Sequence, residues 1–269
     1  MTKLTALLMA AALTAAIAGA ITSGPAPATS PTTQASRPAK EKLVFEDNFK
    51  DMANWVAEGP HTVEVKDGKL YVKTVQDDRN VGQYVWCRRE LPDDFRVEFD
   101  VTPLSRSGFF LVFFCVQGVK GEDILGKDLF EGYMSWKSWK PYYDWDKYTS
   151  AANRKAHHQS RIRCYHASYR RNEQANCNLR KNPGLNLVKS SNIDALLPQD
   201  KPAHVVLTKA GPRITLVVND KPFMDWTDPD APYKGGRFGF RNVYDSEANY
   251  ANFRMFDLGA QTPATGQTR

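Results

Sequence analysis

The chain has 269 residues and a formal net charge of +6, with 42% hydrophobic and 25% charged residues. A mild basic excess suits an acidic polysaccharide or a membrane surface as a partner, and it also suits a soluble protein with no charged partner. Nucleic acid is not an expected partner, because the sequence carries an export signal and lacks a helix-based motif for reading bases.

The first twenty residues have the pattern of a secretory signal peptide. Lys3 gives a positive start, Leu4 to Ile17 is an uncharged run rich in Ala and Leu, and Ala18-Gly19-Ala20 is a small-residue cleavage site. An uncleaved anchor is the alternative, because the apolar run extends to Ile21 and approaches membrane-spanning length. No later segment is apolar enough to cross a membrane. We therefore expect a secreted or periplasmic protein with no membrane contact after cleavage.

The composition predicts one folded domain between two unstructured segments. Residues 21–40 are rich in Pro, Ser, Thr and Ala, which is typical of a disordered linker, and residues 259–269 form a flexible tail of the same character. Residues 41–258 remain, and a stretch of this length is typical of a single all-β domain. A domain of that size buries a full core without disulfide staples.

Residues 41–258 contain many short strand-like runs separated by turn signals. Leu43–Phe49 opens the domain, and Thr62–Thr74 is an alternating pair of strands around Asp67-Gly68, a strong hairpin signal. Phe95–Val101 alternates between apolar and charged residues, so its Phe and Val side chains should face a core. Gly108–Val116 is apolar on both faces and predicts a central strand. Later runs are residues 161–172, 204–209, 213–218, 222–226, 236–242 and 251–256.

One long segment, residues 128–148, does not fit this pattern of strands. It holds three Trp and four Tyr and shows no clear periodicity. A long ordered loop in a compact domain is usually functional, and exposed aromatic rings suit the C–H faces of sugars. The alternative is that these rings cover the sheet as a satellite core.

The segment from Arg161 to Asn172 combines basic, aromatic and histidine residues and is the most informative part of the sequence. It alternates like a strand, so Cys164, His166, Ser168 and Arg170 share one face and Arg163, Tyr165, Ala167 and Tyr169 share the other. Six Arg or Lys residues and one acidic residue lie between Arg161 and Lys181. A positive, aromatic stretch on a β scaffold indicates a site for an anionic or polyhydroxylated ligand.

Four cysteines leave the redox chemistry open: Cys87, Cys115, Cys164 and Cys177. An even number in an exported protein permits disulfides, and four cysteines allow three pairings. Cys164 with Cys177 is the first pair to test. Buried free thiols are the alternative, since three of the four lie in apolar or strand-like runs. The spacing does not resemble a zinc site.

The motifs resemble those of the YesU-like proteins, a bacterial family. The resemblance rests on Tyr165–Arg171, Asn178–Gly184, Gly121–Ile124 and Gly239–Arg241, and it covers roughly residues 43–258. It implies an antiparallel jelly-roll sandwich of the concanavalin A-like lectin/glucanase type, in agreement with the all-β pattern of the strands. It also implies a carbohydrate role, because family members occur in bacteria that degrade plant and marine polysaccharides. It supplies no catalytic residues.

Strand parity predicts which side chains line a binding groove. On each strand, the residues that alternate with the core positions point outward. If the strands concerned belong to one concave sheet, their outward residues share one groove. The predicted groove residues are Trp86, Glu98, Asp100, His166, Ser168, Arg170 and Arg241.

His166 is the candidate general base, because it is a strand-borne histidine amid polar neighbours and titrates near neutrality. A histidine hydrogen-bonded inside the sheet is the alternative. In β-elimination from a uronic acid, the base removes the C5 proton while a cation neutralises the carboxylate. Arginine grips a carboxylate through two parallel bonds, so Arg170, Arg180 and Arg241 are the candidate clamps.

Glycoside hydrolysis would instead need two carboxylates flanking the scissile bond. Glu98 with Asp100 is one pair on a single face, and residues two apart on a strand lie about 7 Å from each other, near an inverting separation. Glu122 with Asp123 is a second pair, in a loop. Solvation or ion pairing with arginine is the alternative for both pairs.

The sequence therefore predicts an exported protein that acts on an acidic or substituted polysaccharide or oligosaccharide by lyase-type elimination or hydrolysis. The alternative is a lectin-like carbohydrate-binding module, in which Trp86 stacks on sugar rings and Asn178 bonds sugar hydroxyls. A third hypothesis is a cell-surface structural protein. A structural Ca²⁺ at Asp47 and Asn48 is the one metal considered, although no complete ligand loop is visible. Serine-hydrolase and metallo-hydrolase motifs are absent from the sequence.

Overall fold

The computed structural model describes residues 41–75, 82–106, 108–126, 162–170, 177–191 and 197–259. The predicted signal peptide, the linker, residues 260–269 of the predicted tail and the aromatic segment 128–148 lie outside these ranges. Within these ranges the regular secondary structure consists of β-strands and includes no helix, which confirms the all-β prediction. In chain order the strands are β1 Lys42–Asp47, β2 Trp55–Glu58, β3 Thr62–Lys66, β4 Lys69–Lys73, β5 Gln83–Glu90, β6 Phe95–Pro103, β7 Phe109–Gly118, β8 Ile162–Arg170, β9 Cys177–Asn182, β10 Asn186–Ser191, β11 Ala203–Ala210, β12 Arg213–Val218, β13 Lys221–Thr227, β14 Arg237–Val243 and β15 Glu247–Asp257.

The strands form two antiparallel sheets that pack as a sandwich. Sheet A has eight strands in the order β13-β12-β11-β6-β15-β4-β3, with β1 paired to the second half of β15. Sheet B has seven strands in the order β10-β9-β8-β7-β14-β5-β2. The predicted central strand is β7, which lies between β8 and β14 and is buried over almost its whole length.

Two hairpins follow directly from their turn residues. Asp67 and Gly68 join β3 to β4 with φ angles of 52° and 66°. Asn219 and Asp220 join β12 to β13 with φ angles of 49° and 60°. Two successive residues with positive φ match the twist of antiparallel strands, and Asn, Asp and Gly adopt this conformation most readily.

The main core fills the space between the sheets and is dominated by aromatic rings. Phe99 contributes from sheet A, and Tyr165 and Phe240 contribute from sheet B. Strand β6 alternates as predicted, with Phe95, Val97, Phe99 and Val101 fully buried in this core. Tyr169 also faces the core, as its parity predicts, and its hydroxyl lies 3.4 Å from that of Tyr250.

A second cluster of buried side chains lies on the other face of sheet B, which we call the site face. Tyr84, Trp86, Leu111, Phe113 and Cys164 belong to it. Their strand neighbours Val85, Cys87, Val112, Phe114 and Tyr165 belong to the core between the sheets. The two-residue period of β5, β7 and β8 therefore separates two clusters by one sheet, as predicted for β5 and β8.

All four cysteines are buried free thiols. Cys164 belongs to the cluster on the site face, whereas Cys177 belongs to the core on the opposite side of sheet B. Burial raises the pKa of Cys164 to about 12, which keeps this thiol protonated and unreactive at neutral pH. The structure thus favours the free-thiol alternative over the pair Cys164–Cys177.

Candidate functional site

Two cross-strand rows of side chains organise the site face. In the first row, Glu58 pairs with Tyr84, Tyr84 with Arg241, Arg241 with Leu111, and Leu111 with Ser168. The second row lies two residues away and comprises Val56, Trp86, Gly239, Phe113, His166 and Arg180. The predicted site residues Trp86, His166, Ser168, Arg180 and Arg241 are therefore brought to one face of one sheet.

Aromatic contacts run across this face from Arg241 to His166. The guanidinium carbon of Arg241 lies 4.8 Å from the centre of the Tyr84 ring. Tyr84 stacks on Trp86 with ring centroids 5.2 Å apart, and both rings meet Phe113 edge to face. Phe113 in turn stacks on His166 at 4.8 Å. The contacts fix the positions of a cation, three aromatic rings and an imidazole.

Gly239 allows Trp86 to lie flat against the sheet. A Cβ atom added at Gly239 would lie only 2.4 Å from Cε3 of the Trp86 indole, closer than real Cβ contacts. The absence of a side chain at this position on β14 therefore makes room for the largest ring of the neighbouring strand β5.

The packing of Trp86 corrects one prediction. Trp86 lies on the expected face, but its side chain is fully buried, and Tyr84 beside it is buried as well. A ring enclosed by Tyr84, Phe113 and the backbone of Gly239 offers no open surface to a sugar ring. The expectation that Trp86 supplies an open stacking platform is therefore wrong, and the half-buried polar residues Asn178, Arg180 and Arg241 are the more accessible groups.

Glu58 is the buried carboxyl of the described site face. It ends β2, which pairs only with β5 among the described strands. Its Oε2 accepts a hydrogen bond of 2.7 Å from the indole Nε1 of Trp86. Its Oε1 is also buried and hydrogen-bonds to none of the residues that the structure describes. Leaving such an oxygen unpaired costs about 1–3 kcal/mol in the free protein.

Burial raises the pKa of Glu58 from its ordinary value of 4.5 to about 7, and the hydrogen bond from Trp86 opposes part of this rise. The folded protein therefore holds the Glu58 proton over a pH range in which the unfolded chain has released it. Stability falls with rising pH wherever the folded state binds more protons. The contribution of Glu58 is thus largest below pH 4.5, declines up to about pH 7 and is lost above that value.

Glu58→Gln should remove this pH dependence, because glutamine is neutral at every pH and keeps an acceptor for Trp86. We expect the variant to gain on the order of 3 kcal/mol in unfolding free energy relative to the wild type between pH 4.5 and pH 8. Urea unfolding at both pH values measures this difference. Glu64→Gln, at an exposed position on β3, is the control and should change little. Parallel pH profiles for Glu58→Gln and the wild type would contradict the assignment.

His166 is buried and held by Asn182, the last residue of β9. The amide Nδ2 of Asn182 lies 2.8 Å from Nδ1 of His166. Asn182 is oriented by its Oδ1, which accepts a bond from the backbone N–H of Leu185 at 3.2 Å. The amide therefore donates to Nδ1 of His166, so the neutral imidazole carries its proton on Nε2.

This tautomer bears directly on the predicted role of His166. A general base needs a free lone pair, and the lone pair of neutral His166 is the one that accepts the Asn182 amide. A proton on Nδ1 of His166 would face the amide N–H of Asn182, so two donors would meet without an acceptor. The hydrogen bond from Asn182 thus disfavours His166 as a base, and its catalytic role stays a prediction.

Hydrogen bonds hold three predicted residues of β8 and β9 in place: Ser168, Asn178 and Arg180. The hydroxyl of Ser168 accepts a bond of 2.8 Å from the backbone N–H of Asn178, which ties β8 to β9. Asn178 Oδ1 accepts a bond from the hydroxyl of Ser190 on β10. Arg180 donates through NH1 to the carbonyl of Leu185 in the turn after β9. Arg170 ends β8, and its side chain lies outside the described part of the structure.

Glu98 and Asp100 lie elsewhere, and the prediction that they share a groove with His166 is wrong. Both belong to β6 in sheet A, on the face turned away from the core. Glu98 forms ion pairs with Arg96 and Arg254. Asp100 binds Nδ1 of His204 at 2.7 Å and the amide of Asn252 at 2.6 Å. The sandwich separates these carboxylates from the site face, and their neighbours already neutralise or bond them.

The loop after β7 borders the site face. Asp123 forms a two-bond ion pair with Arg237 on β14, at 2.8 and 2.6 Å, and this contact holds the pKa of Asp123 below its ordinary value. Glu122 Oε2 accepts a bond from the backbone N–H of Lys120. Ile124 packs into the cluster of the site face. Both carboxylates are thus placed near this face, but bonds within the protein engage them.

The carboxylate of Asp47, which was considered as a calcium ligand, accepts hydrogen bonds from other residues of the protein. Oδ1 of Asp47 accepts the backbone N–H of Phe49, and Oδ2 accepts both the amide of Asn54 and the indole N–H of Trp55. No group of three or more His, Cys, Asp or Glu residues suited to a metal ion occurs in the described ranges. Among the same residues, no helix has the length and apolar character needed to span a membrane.

The chain is similar to known proteins in both sequence and fold. The model of the DUF1961 family, described as a domain of unknown function, matches residues 42–255. The chain belongs to the DUF1961 family. The uncharacterized protein YesU of Bacillus subtilis is 26% identical over 217 residues, which cover 76% of this chain and 90% of YesU. The predicted resemblance to YesU-like proteins is therefore confirmed.

Solved structures support the fold of this DUF1961 domain. A protein of unknown function with a galectin-like fold from Bacillus subtilis aligns with a TM-score of 0.64 and 24% identity, over 80% of this chain and 95% of its own. The exoplasmic/lumenal domain of VIP36, in a Ca²⁺- and mannose-bound form, aligns with a TM-score of 0.50 and 10% identity, over 83% and 91%. The predicted lectin-type jelly-roll sandwich is confirmed.

The sequence alone does not identify four residues of the site face: Glu58, Tyr84, Phe113 and Asn182. Tyr84 shares strand parity with Trp86 and could have been found in this way, whereas Phe113 lies in a run that is apolar on both faces. Asn182 precedes Pro183 and Gly184, and this composition indicates a turn rather than a binding site. Glu58 lies in a strand of four residues, whose place beside Trp86 depends on pairing with β5.

Proposed function

We propose that this DUF1961 domain is an exported carbohydrate-binding module that binds an acidic or substituted saccharide on the site face of sheet B. The observation that carries the proposal is the polar half of that face. Arg180, Arg241 and Asn178 are partly exposed there, and buried His166 and Glu58 adjoin them in the same two rows. Cations and amides on a rigid sheet suit carboxylates and sugar hydroxyls.

The fold gives further support by analogy. The VIP36 domain, which has this sandwich, was solved with Ca²⁺ and mannose, and the Emp46p domain, with a TM-score of 0.50 and 14% identity, is a carbohydrate recognition domain. One fold hosts many functions, so this analogy adds to the site chemistry and does not replace it. Export is supported by the signal-peptide pattern of residues 1–20.

Two observations favour binding over catalysis. The Nδ1 atom of His166 accepts a hydrogen bond from Asn182, which disfavours proton abstraction in a lyase mechanism. Glycoside hydrolysis needs a pair of carboxylates, and Glu98 with Asp100 lies on the other sheet. Glu58 has no second unengaged carboxylate beside it among the described residues of the site face.

Titration calorimetry of the mature protein at pH 6 with oligogalacturonate, alginate oligosaccharides and neutral xylo- and galacto-oligosaccharides tests the proposal. Arg241→Gln and Arg180→Gln should each weaken binding of an acidic member about 10–100-fold, the usual worth of a charge-assisted hydrogen bond. Arg213→Gln, which removes an exposed ion pair on sheet A, is the matched control and should bind like the wild type.

Unsaturated uronate absorbance and new reducing ends are followed in the same samples. Saturable binding without either product supports a module. Turnover in either channel would replace the proposal with a lyase or a hydrolase. Failure of every saccharide to bind would refute it.

A further inference from the structure

Only one of the two carboxyl oxygens of buried Glu58 forms a hydrogen bond with a described residue. Oε2 holds the indole of Trp86, while Oε1 meets no hydrogen-bonding partner among the described residues. Buried polar atoms are nearly always paired, and an exception calls for an explanation such as a missing ligand.

The position of Glu58 suits contact with a ligand. It ends the edge strand β2, and Tyr84 lies between it and Arg241 in register. Two strand spacings separate Glu58 and Arg241, about 10 Å between Cα atoms. The guanidinium carbon of Arg241 lies 4.8 Å from the centre of the Tyr84 ring, so Arg241 and Glu58 border Tyr84 from its two neighbouring strands.

We propose that Glu58 is a specificity-determining residue of the saccharide site, whose protonated carboxyl donates through Oε1 to the carboxylate of an acidic sugar that Arg241 binds. This inference rests on the proposed function. A protonated carboxyl is a donor, whereas an ionised one only accepts and repels a second carboxylate. The site would therefore take a uronate in preference to its neutral ester.

The preference for a uronate over its ester can be tested near neutral pH, because Glu58 changes its protonation state there. Burial raises its pKa to about 7, so the donor form predominates at pH 6 and the acceptor form at pH 8. The titratable and charged groups on the same face of the adjoining strands are Tyr84, Arg88 and Glu90 on β5 and Arg237 and Arg241 on β14, and His61 follows β2. The uronate stays ionised throughout this range.

The experiment compares binding of oligogalacturonate, or of alginate oligosaccharide if that is the member that binds, with binding of its methyl ester at pH 6 and pH 8. If only the protonated form of Glu58 binds, wild-type affinity for the acid should fall about tenfold from pH 6 to pH 8. Affinity for the methyl ester should change little. Glu58→Gln, whose amide donates at both pH values, should bind the acid equally at both.

Each outcome separates this inference from the proposed function. Absence of all saccharide binding refutes the function itself. Binding of neutral saccharides alone, or an equal fall for the acid in the wild type and Glu58→Gln, overturns the role of Glu58 while leaving a binding module. If Glu58→Gln does not fold, the wild-type comparison of acid and ester decides, because equal pH profiles for the two ligands overturn the inference. Glu64→Gln, exposed on sheet A, controls for loss of charge.

Discussion

Replacing Phe240 by alanine is expected to lower the free energy of unfolding by about 3–5 kcal/mol, the usual cost of removing a fully buried aromatic ring. Phe240 lies at the centre of the core between the sheets and is completely buried. Its ring stacks on Tyr250 with centroids 4.2 Å apart and on Trp55 at 5.5 Å. It also meets Phe99 edge to face at 5.0 Å. Alanine would therefore leave a cavity lined by rigid rings, which cannot collapse to fill it.

Phe256→Ala is the matched control for this prediction. Phe256 is half-buried on the outer face of sheet A, where the guanidinium carbons of Arg96 and Arg254 lie 4.0 and 5.9 Å from its ring centre. Its removal should cost about 1 kcal/mol, since cation–π contacts at partly exposed sites are weak. Denaturant unfolding at one pH measures both variants. Equal losses for Phe240→Ala and Phe256→Ala would show that the centre of the core has been misassigned.

Features that depend on local alternation were predictable from the sequence. The two-residue period of β5, β8 and β14 separates Trp86, His166 and Arg241 from the core-facing residues of their own strands, because each strand sorts its own side chains. The hairpin at Asp67-Gly68 is equally local, since the two residues favour the positive φ angles that the turn requires. The all-β class follows from many such runs together.

Features that depend on pairing between distant strands were not predictable. The strand β6 carries Glu98 outward as its alternation requires, but its pairing with β11 and β15 assigns it to sheet A. Alternation alone gives the face of a strand and not its sheet. The burial of Trp86 likewise depends on Gly239, which is far away in the sequence and adjacent only through the pairing of β5 with β14.

Glu58 shows the same limit at the site itself. The run Trp55-Val56-Ala57-Glu58 has three apolar residues in succession, so its sequence shows no alternation. Four residues are too few to distinguish a strand from a loop by periodicity, so the position of the carboxyl beside Trp86 emerges only from the register of β2 with β5. The least predictable residue of the site face is thus also one whose pKa is strongly raised by burial.

Asp228→Ala is the second large effect that we expect, with a loss of about 3–5 kcal/mol in unfolding free energy, because it leaves buried partners unpaired. Asp228 accepts a hydrogen bond from the hydroxyl of Tyr165 and binds Nζ of Lys181 at 2.8 Å. Its Oδ1 also accepts the backbone N–H of Asp230 at 3.1 Å. Burial and this carboxylate raise the pKa of Tyr165 well above its ordinary value, so the phenol remains a donor.

Asp225→Ala on β13 is the control, because Asp225 also pairs with a cation, Arg213, but both side chains are more than half exposed. Exposed pairs contribute about 0–1 kcal/mol. The buried network also supports the site face: the hydroxyl of Tyr233 donates to the carbonyl of Asn182 at 2.8 Å, and Asn182 orients His166. We therefore expect Asp228→Ala, and not Asp225→Ala, to shift the His166 imidazole resonances in NMR spectra. A stability loss without that shift would mean that β9 holds Asn182 in place without the Asp228 network.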